Sequence, residues 1–202
     1  MRKSWRAKGV CHGISILSFS LSGSLRRLKP QRPGYHLARR ADPDLAFVTM
    51  ATGPGPALLL DTSVYIDVLQ GQTPPEVDDL LGLRILNHSS VVLAELTHLF
   101  GRLDPSHPDT RAALRDLGGT LNDIPPHRLT APSIRASGEA GMLAGLAARL
   151  TSRVHGPELL NDALMLLHAE ETGRILLTRN IEDFDYLQQL APTTRILLYR
   201  QV

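Results

Sequence analysis

The chain has 202 residues, 43% of them hydrophobic, enough for one ordinary domain with a sizeable core. No apolar run approaches the roughly 18 residues of a membrane helix, and the single cysteine, Cys11, excludes an internal disulfide; a non-membrane protein of a reducing compartment, the cytoplasm, is expected. The net charge of +2 hides two unlike pieces: residues 1–49 carry ten lysines and arginines against two acids, a net of +8, while residues 50–202 carry twelve arginines and no lysine against eighteen acids, a net of −6.

Residues 1–52 have no steady period, and Pro30, Pro33 and Pro43 interrupt them. They are expected to form a basic, disordered extension, and a translation start at Met50 would leave a compact domain. Two other readings compete. MRKSWRAK followed by ISILSFSLSG has the basic start and thin apolar stretch of a signal peptide, without an Ala-x-Ala site. The same basic residues could contact nucleic-acid phosphates. The domain proper is expected over 53–202.

ALLLD, 57–61, is an apolar run that ends in an acid, and it predicts a buried strand. Helices are expected at 63–69, at 74–82 after Pro74-Pro75, at 90–103, and at 108–117, with Gly118-Gly119 past the last end. RILNHSS, 84–90, reads as a short strand or extended link, and 120–130 as loop or extended chain. Longer helices are expected at 132–150 and 157–172, the second stopping at Gly173. RILLT, 174–178, is a buried-type strand, 181–189 a short helix, and TTRILLYR, 193–200, a strand near an edge. Strands separated by helices imply parallel pairing, hence a three-layer α/β/α sandwich with a central parallel sheet. Ligands bind such sheets at the carboxyl ends of the strands, where Asp61 and Thr178 fall.

Four acids occupy costly positions. Glu95 lies on the apolar stripe of Val92, Leu96, Leu99 and Leu103, three residues after the first and four before the third. Asp162 lies in the same way between Leu159 and Leu166. Asp61 ends a buried strand, and Asp183 opens the helix after RILLT. Each has a bland alternative alone: a boundary residue for Glu95, a helix-start acid for Asp162 and Asp183, a cap for Asp61. Together they would repel one another at a cost of several kcal/mol unless paired. The domain has no lysine, and only Arg179 flanks these positions. A hard divalent cation on oxygen ligands is the better account, and Mg²⁺ or Mn²⁺ suits Asp and Glu without His or Cys.

Four motifs in this order resemble the PIN domain family, and most closely its VapC-type ribonuclease toxins. They are LLLDTSVYID, SSVVLAEL, NDALMLLHAEETG and ILLTRNIEDFD, and they span nearly all of 57–187. The first fifty residues have no counterpart in the family pattern. The resemblance implies that Asp61, Glu95, Asp162 and Asp183 are the catalytic, metal-binding quartet. It implies that Ser63, Thr178 and Asn180 are polar supports of the metal, and Arg179 is a candidate contact for the scissile phosphate. It further implies a Mg²⁺- or Mn²⁺-dependent endoribonuclease, an RNA substrate, an antitoxin partner and a homodimer.

Other features carry less. Glu95 and His98 form a Glu-x-x-His, but a di-iron bundle needs two such motifs on four long helices. His168 is expected to be packed or at a boundary, and Asp67 to lie on the exposed side of its helix. A haloacid-dehalogenase-like phosphatase would want an acid two residues after Asp61 and a downstream lysine; Ser63 stands at the first place and the domain lacks the second. A catalytically degenerate PIN-like binding module is the remaining alternative.

Overall fold

The computed structural model describes residues 19–30, 36–50, 53–151, 156 and 158–202. The signal-peptide and phosphate-binding readings rest on a basic start, Arg2 to Lys8, that lies outside the described residues, as does Cys11. Five strands, β1 (Leu58–Leu60), β2 (Leu86–Ser89), β3 (Leu129–Thr130), β4 (Ile175–Thr178) and β5 (Ile196–Leu198), form one sheet in the order β3-β2-β1-β4-β5. Every neighbouring pair is parallel; Leu59 faces Asn87 on one side and Leu176 on the other. Successive strand residues point to opposite faces. Leu58, Leu59, Leu176 and Leu177 are all fully buried, so both faces of the central strands are covered, as the three-layer sandwich requires.

The helices are α1 (Leu21–Leu28), α2 (Thr62–Gln70), α3 (Pro75–Leu83), α4 (Ser90–Arg102), α5 (Thr110–Asn122), α6 (Ile134–Thr151), α7 (Glu158–Glu171) and α8 (Ile181–Leu190). Their ends follow local chemistry. Asp61 and Ser89 cap α2 and α4 through their side chains, and Asn180 caps α8. Gly173 takes φ 67° behind α7, a left-handed turn that favours glycine. One boundary differs from expectation. Helix α5 runs through Gly118 and Gly119 because Leu121 and Ile124 beyond them still pack on the core. The stretch 120–130 beyond it, expected as loop or extended chain, ends in the short strand β3, paired to β2 through His88 and Leu129.

The chain leaves β1 towards β2 and β3 on one side, then returns to build β4 and β5 on the other. The connections after β1 and β4 therefore depart in opposite directions and leave a crevice between the carboxyl ends of these two strands. Among the described residues, no helix is long and apolar enough to cross a membrane. The described residues before the expected boundary at 52 contact the rest of the fold. Phe47 bridges Leu198 in parallel, Leu37 N donates to Leu150 O at 2.8 Å, and α1 packs on α6.

Candidate active site

Asp61 follows the last residue of β1 and is 6% exposed. Its Oδ2 collects three donors: Ser63 Oγ at 2.6 Å, Thr178 Oγ1 at 2.8 Å and Ser63 N at 3.4 Å. Its Oδ1 accepts none among the described residues. No buried side-chain polar atom among them lacks a partner, so this oxygen reaches solvent. Ser63 Oγ in turn accepts from Arg179 N at 3.1 Å, and Thr178 Oγ1 accepts from Asn180 N at 3.0 Å. The turn after β4 is thus laced to the start of α2, with Asp61 at the centre.

Asn180 joins two further acids. Its side-chain nitrogen donates to Asp162 Oδ2 at 3.0 Å and to Asp183 Oδ2 at 3.1 Å, while its oxygen accepts from Asp183 N at 3.3 Å. Glu95, half-buried on α4, accepts at one oxygen from Thr62 Oγ1 and at the other from Asn161 Nδ2 at 2.7 Å. Thr62 and Asn161 were not among the residues singled out from sequence. Both adjoin singled-out acids, Asp61 and Asp162, and that adjacency was the available signal.

The electrostatics tie the four acids together. Burial pushes the Asp162 carboxyl up to about 9, and the negative charges of Asp61, Asp183, Glu95 and, last, Glu158 push in the same direction. No arginine pairs with Asp61, Glu95 or Asp162 among the described residues. The Arg179 guanidinium lies 3.3 Å from Asp67 and donates to Gln201 at 2.6 Å.

The donor set is all oxygen and anionic, which matches a hard divalent cation. Its spacing does not yet match one. Among the described residues, no three His, Cys, Asp or Glu side chains are disposed to hold a metal ion. The Asn180 amide bridges Asp162 and Asp183 with a partial positive charge of its own.

Asp67 stands elsewhere than expected, and His168 is packed as expected. Asp67 is fully buried, because Tyr199 Oη donates to it at 2.8 Å and Gln201 and Arg179 close over it. His168 is also fully buried, with Nδ1 3.0 Å from Ser89 Oγ and Nε2 3.1 Å from Thr130 Oγ1. His98 is exposed on α4.

No protein-family profile and no curated protein matches the chain. Solved structures do. The fold is similar to a chain of VapBC2 from Rickettsia felis bound to a promoter DNA fragment, at 19% identity, over 71% of this chain and 98% of that one, with a TM-score of 0.51. It is similar to a chain of DNA-bound VapBC from Salmonella typhimurium at 22% identity, over 70% and 97%, TM-score 0.51. It is similar to a chain of FitAcB from Neisseria gonorrhoeae at 16% identity, over 70% and 96%, TM-score 0.51. The class is therefore a PIN-like three-layer α/β sandwich. At these identities the likeness to the VapBC and FitAcB structures is one of fold.

Proposed function

We propose that the chain is a Mg²⁺- or Mn²⁺-dependent endoribonuclease that hydrolyses RNA phosphodiesters, and that it is the toxin of a toxin–antitoxin pair. The observation that carries this reading is the polar web that joins the acids at the ends of β1 and β4: Asn180 donates to both Asp162 and Asp183, and Thr178, which accepts from Asn180 N, donates to Asp61. No arginine pairs with Asp61, Glu95 or Asp162 among the described residues, and the charges of Asp61, Asp183 and Glu95 add to burial in raising the Asp162 pKa. In this reading Asp61, Asp162 and Asp183 would hold the ion, which would offset the crowded negative charge and supply Lewis acidity for attack of water on phosphorus. Glu95, steadied at both oxygens by Thr62 and Asn161, would orient the attacking water. Ser63, Thr178 and Asn180 keep the carboxylates aimed. The products are a 5′ phosphate and a 3′ hydroxyl. The resemblance to VapC-type proteins supports an antitoxin partner and a homodimer. The side chain of Arg179 points to Asp67 and Gln201, so a phosphate contact from it would require leaving both.

One observation favours a second reading. The four acids are not spaced to hold an ion among the described residues, as a degenerate PIN-like module that binds RNA or protein without cutting would allow. Incubation of the purified chain with structured RNA in Mn²⁺ and in EDTA separates the two. Cleavage in Mn²⁺, loss of cleavage in EDTA, and loss in Asp61→Asn and Asp162→Asn with unchanged circular dichroism are expected of the nuclease. RNA retention without cleavage under every metal condition would leave the binding module.

A further inference from the structure

Two arginines that precede Met50, Arg27 and Arg40, pair with buried acids of the domain that follows it. Asp185 on α8 is 1% exposed, and its carboxylate accepts from Arg40 N at 2.8 Å and Arg40 Nε at 2.5 Å. Arg40 also donates to Gln188 at 2.6 Å, and Gln189 on the same helix donates to Ala38 O at 3.0 Å. Among the described residues Arg40 is the one cation paired with Asp185. Glu139 on α6, 3% exposed, is met by Arg27 and Ser24 from α1, with Arg135 from its own helix. Apolar contacts run alongside. Leu37, 2% exposed, completes a small cluster with Leu146 and Leu150 of α6 and Tyr186 of α8. Further on, Leu198 N donates to Ala46 O at 2.9 Å, so the outer edge of β5 is capped by residues 46 and 47.

We infer that residues 36–50 are a docked strap, a built-in partner for the face formed by α6, α8 and the β5 edge. The polar complementarity of that interface is local: Arg40 meets the buried Asp185, and Asp42 of the strap meets Arg200. A buried carboxylate without its cation is strongly unfavourable, and an open strand edge invites foreign pairing. The domain after Met50 carries both liabilities, and the strap removes both. The inference does not depend on the nuclease reading, and its test uses no RNA.

The test is made on the full chain with a protease site inserted in the exposed stretch 54–56. After cleavage, the two pieces are expected to co-elute in size-exclusion chromatography and to melt as one unit. Separation of the pieces, with the melting temperature of the larger piece unchanged, would overturn the inference. Uncut Arg40→Met should melt lower by about 5–10 °C. Adding Asp185→Asn to it should recover at least half of the loss, because the second change removes the stranded charge. Melting of Arg40→Met within a degree of the parent would also count against the strap. If the variant does not fold, the cleavage experiment on the parent sequence still decides.

Discussion

Thr178 Oγ1 donates to Asp61 Oδ2 at 2.8 Å, a bond between the carboxyl ends of β4 and β1 across 117 positions of sequence. Thr178 is fully buried, and the same oxygen accepts from Asn180 N, so one hydroxyl fixes both an acid and the turn that carries another polar group. Thr178→Val keeps the shape and deletes the hydroxyl. It takes one of three donors from the buried Asp61 carboxylate and the acceptor from the half-buried Asn180 N, at a cost of about 1–3 kcal/mol in urea unfolding. Under the nuclease reading it also raises the Mn²⁺ concentration needed for half-maximal cleavage several-fold. Thr178→Ser should restore most of both. An unfolding midpoint equal to the parent's would show that the bond is not formed in solution.

Asp162 predicts an opposition between stability and activity. Its carboxyl is held up to about 9 because burial and four neighbouring acids, Asp61, Asp183, Glu95 and Glu158, oppose its charge. Asp162→Asn keeps the size and does not titrate. In EDTA at neutral pH the native parent must hold a proton on Asp162 that the unfolded chain releases, so the variant, free of that requirement, should be more stable by about 1–3 kcal/mol. The same change should abolish Mn²⁺-dependent cleavage. Chemical denaturation in EDTA and an RNA cleavage assay check the two halves. A variant less stable than the parent without metal would mean that the four acids do not strain one another.

The sheet was legible where composition alone decides it. ALLL and ILLT can only be buried strands, and the acids at or beyond their ends mark the crevice. Glu95 and Asp162 were legible because an acid on an apolar stripe violates the helical pattern. What could not be read depends on partners far along the chain. The burial of Asp67 is made by Tyr199 and Gln201, more than 130 positions away, and nothing in YIDVLQ announces them. The Arg40–Asp185 pair spans 145 positions, and Arg40 sits in a stretch without periodicity. Helix α5 was cut short because its glycines are poor helix formers by about 1 kcal/mol each, a penalty that the packing of Leu121 and Ile124 overrides.

His168 sets an acid limit on the fold. It is fully buried between Ser89 and Thr130; burial lowers its pKa to about 4, with Glu171 pulling upward and Arg174 downward. The unfolded chain binds this proton near the ordinary value of about 6.5. Between pH 6.5 and 4 the unfolded state therefore binds more protons than the native state. The stabilisation is complete above pH 6.5 and drains away as pH falls through that window, by roughly 2–3 kcal/mol. His88, also held low by burial and by Arg128 and Arg174, adds a slope of the same sign. Urea midpoints at pH 7, 5.5 and 4.5 should decline in the parent and decline less in His168→Gln. Parallel declines in both would remove His168 as the cause.

Asp67 holds the C-terminal strand to α2. It accepts from Tyr199 Oη at 2.8 Å and from Gln201 Nε2 at 3.3 Å, and it lies 3.3 Å from the Arg179 guanidinium. Asp67→Leu removes every carboxylate acceptor, leaves Arg179 with Gln201 alone and takes the acceptor from the buried Tyr199 phenol, so a loss of about 3–5 kcal/mol is expected. Asp67→Asn keeps one acceptor for Tyr199 and should lose about half as much. Arg179 offers a sharper check. In the parent its side chain is tethered away from the carboxylate crevice, so Arg179→Met should change cleavage little while Asp67 is present. In Asp67→Asn the ion pair that tethers the guanidinium is lost, and Arg179→Met should then alter the Mn²⁺ dependence. If Arg179→Met alone abolishes cleavage, the tether is not the resting state of this side chain and the arginine works at the phosphate instead.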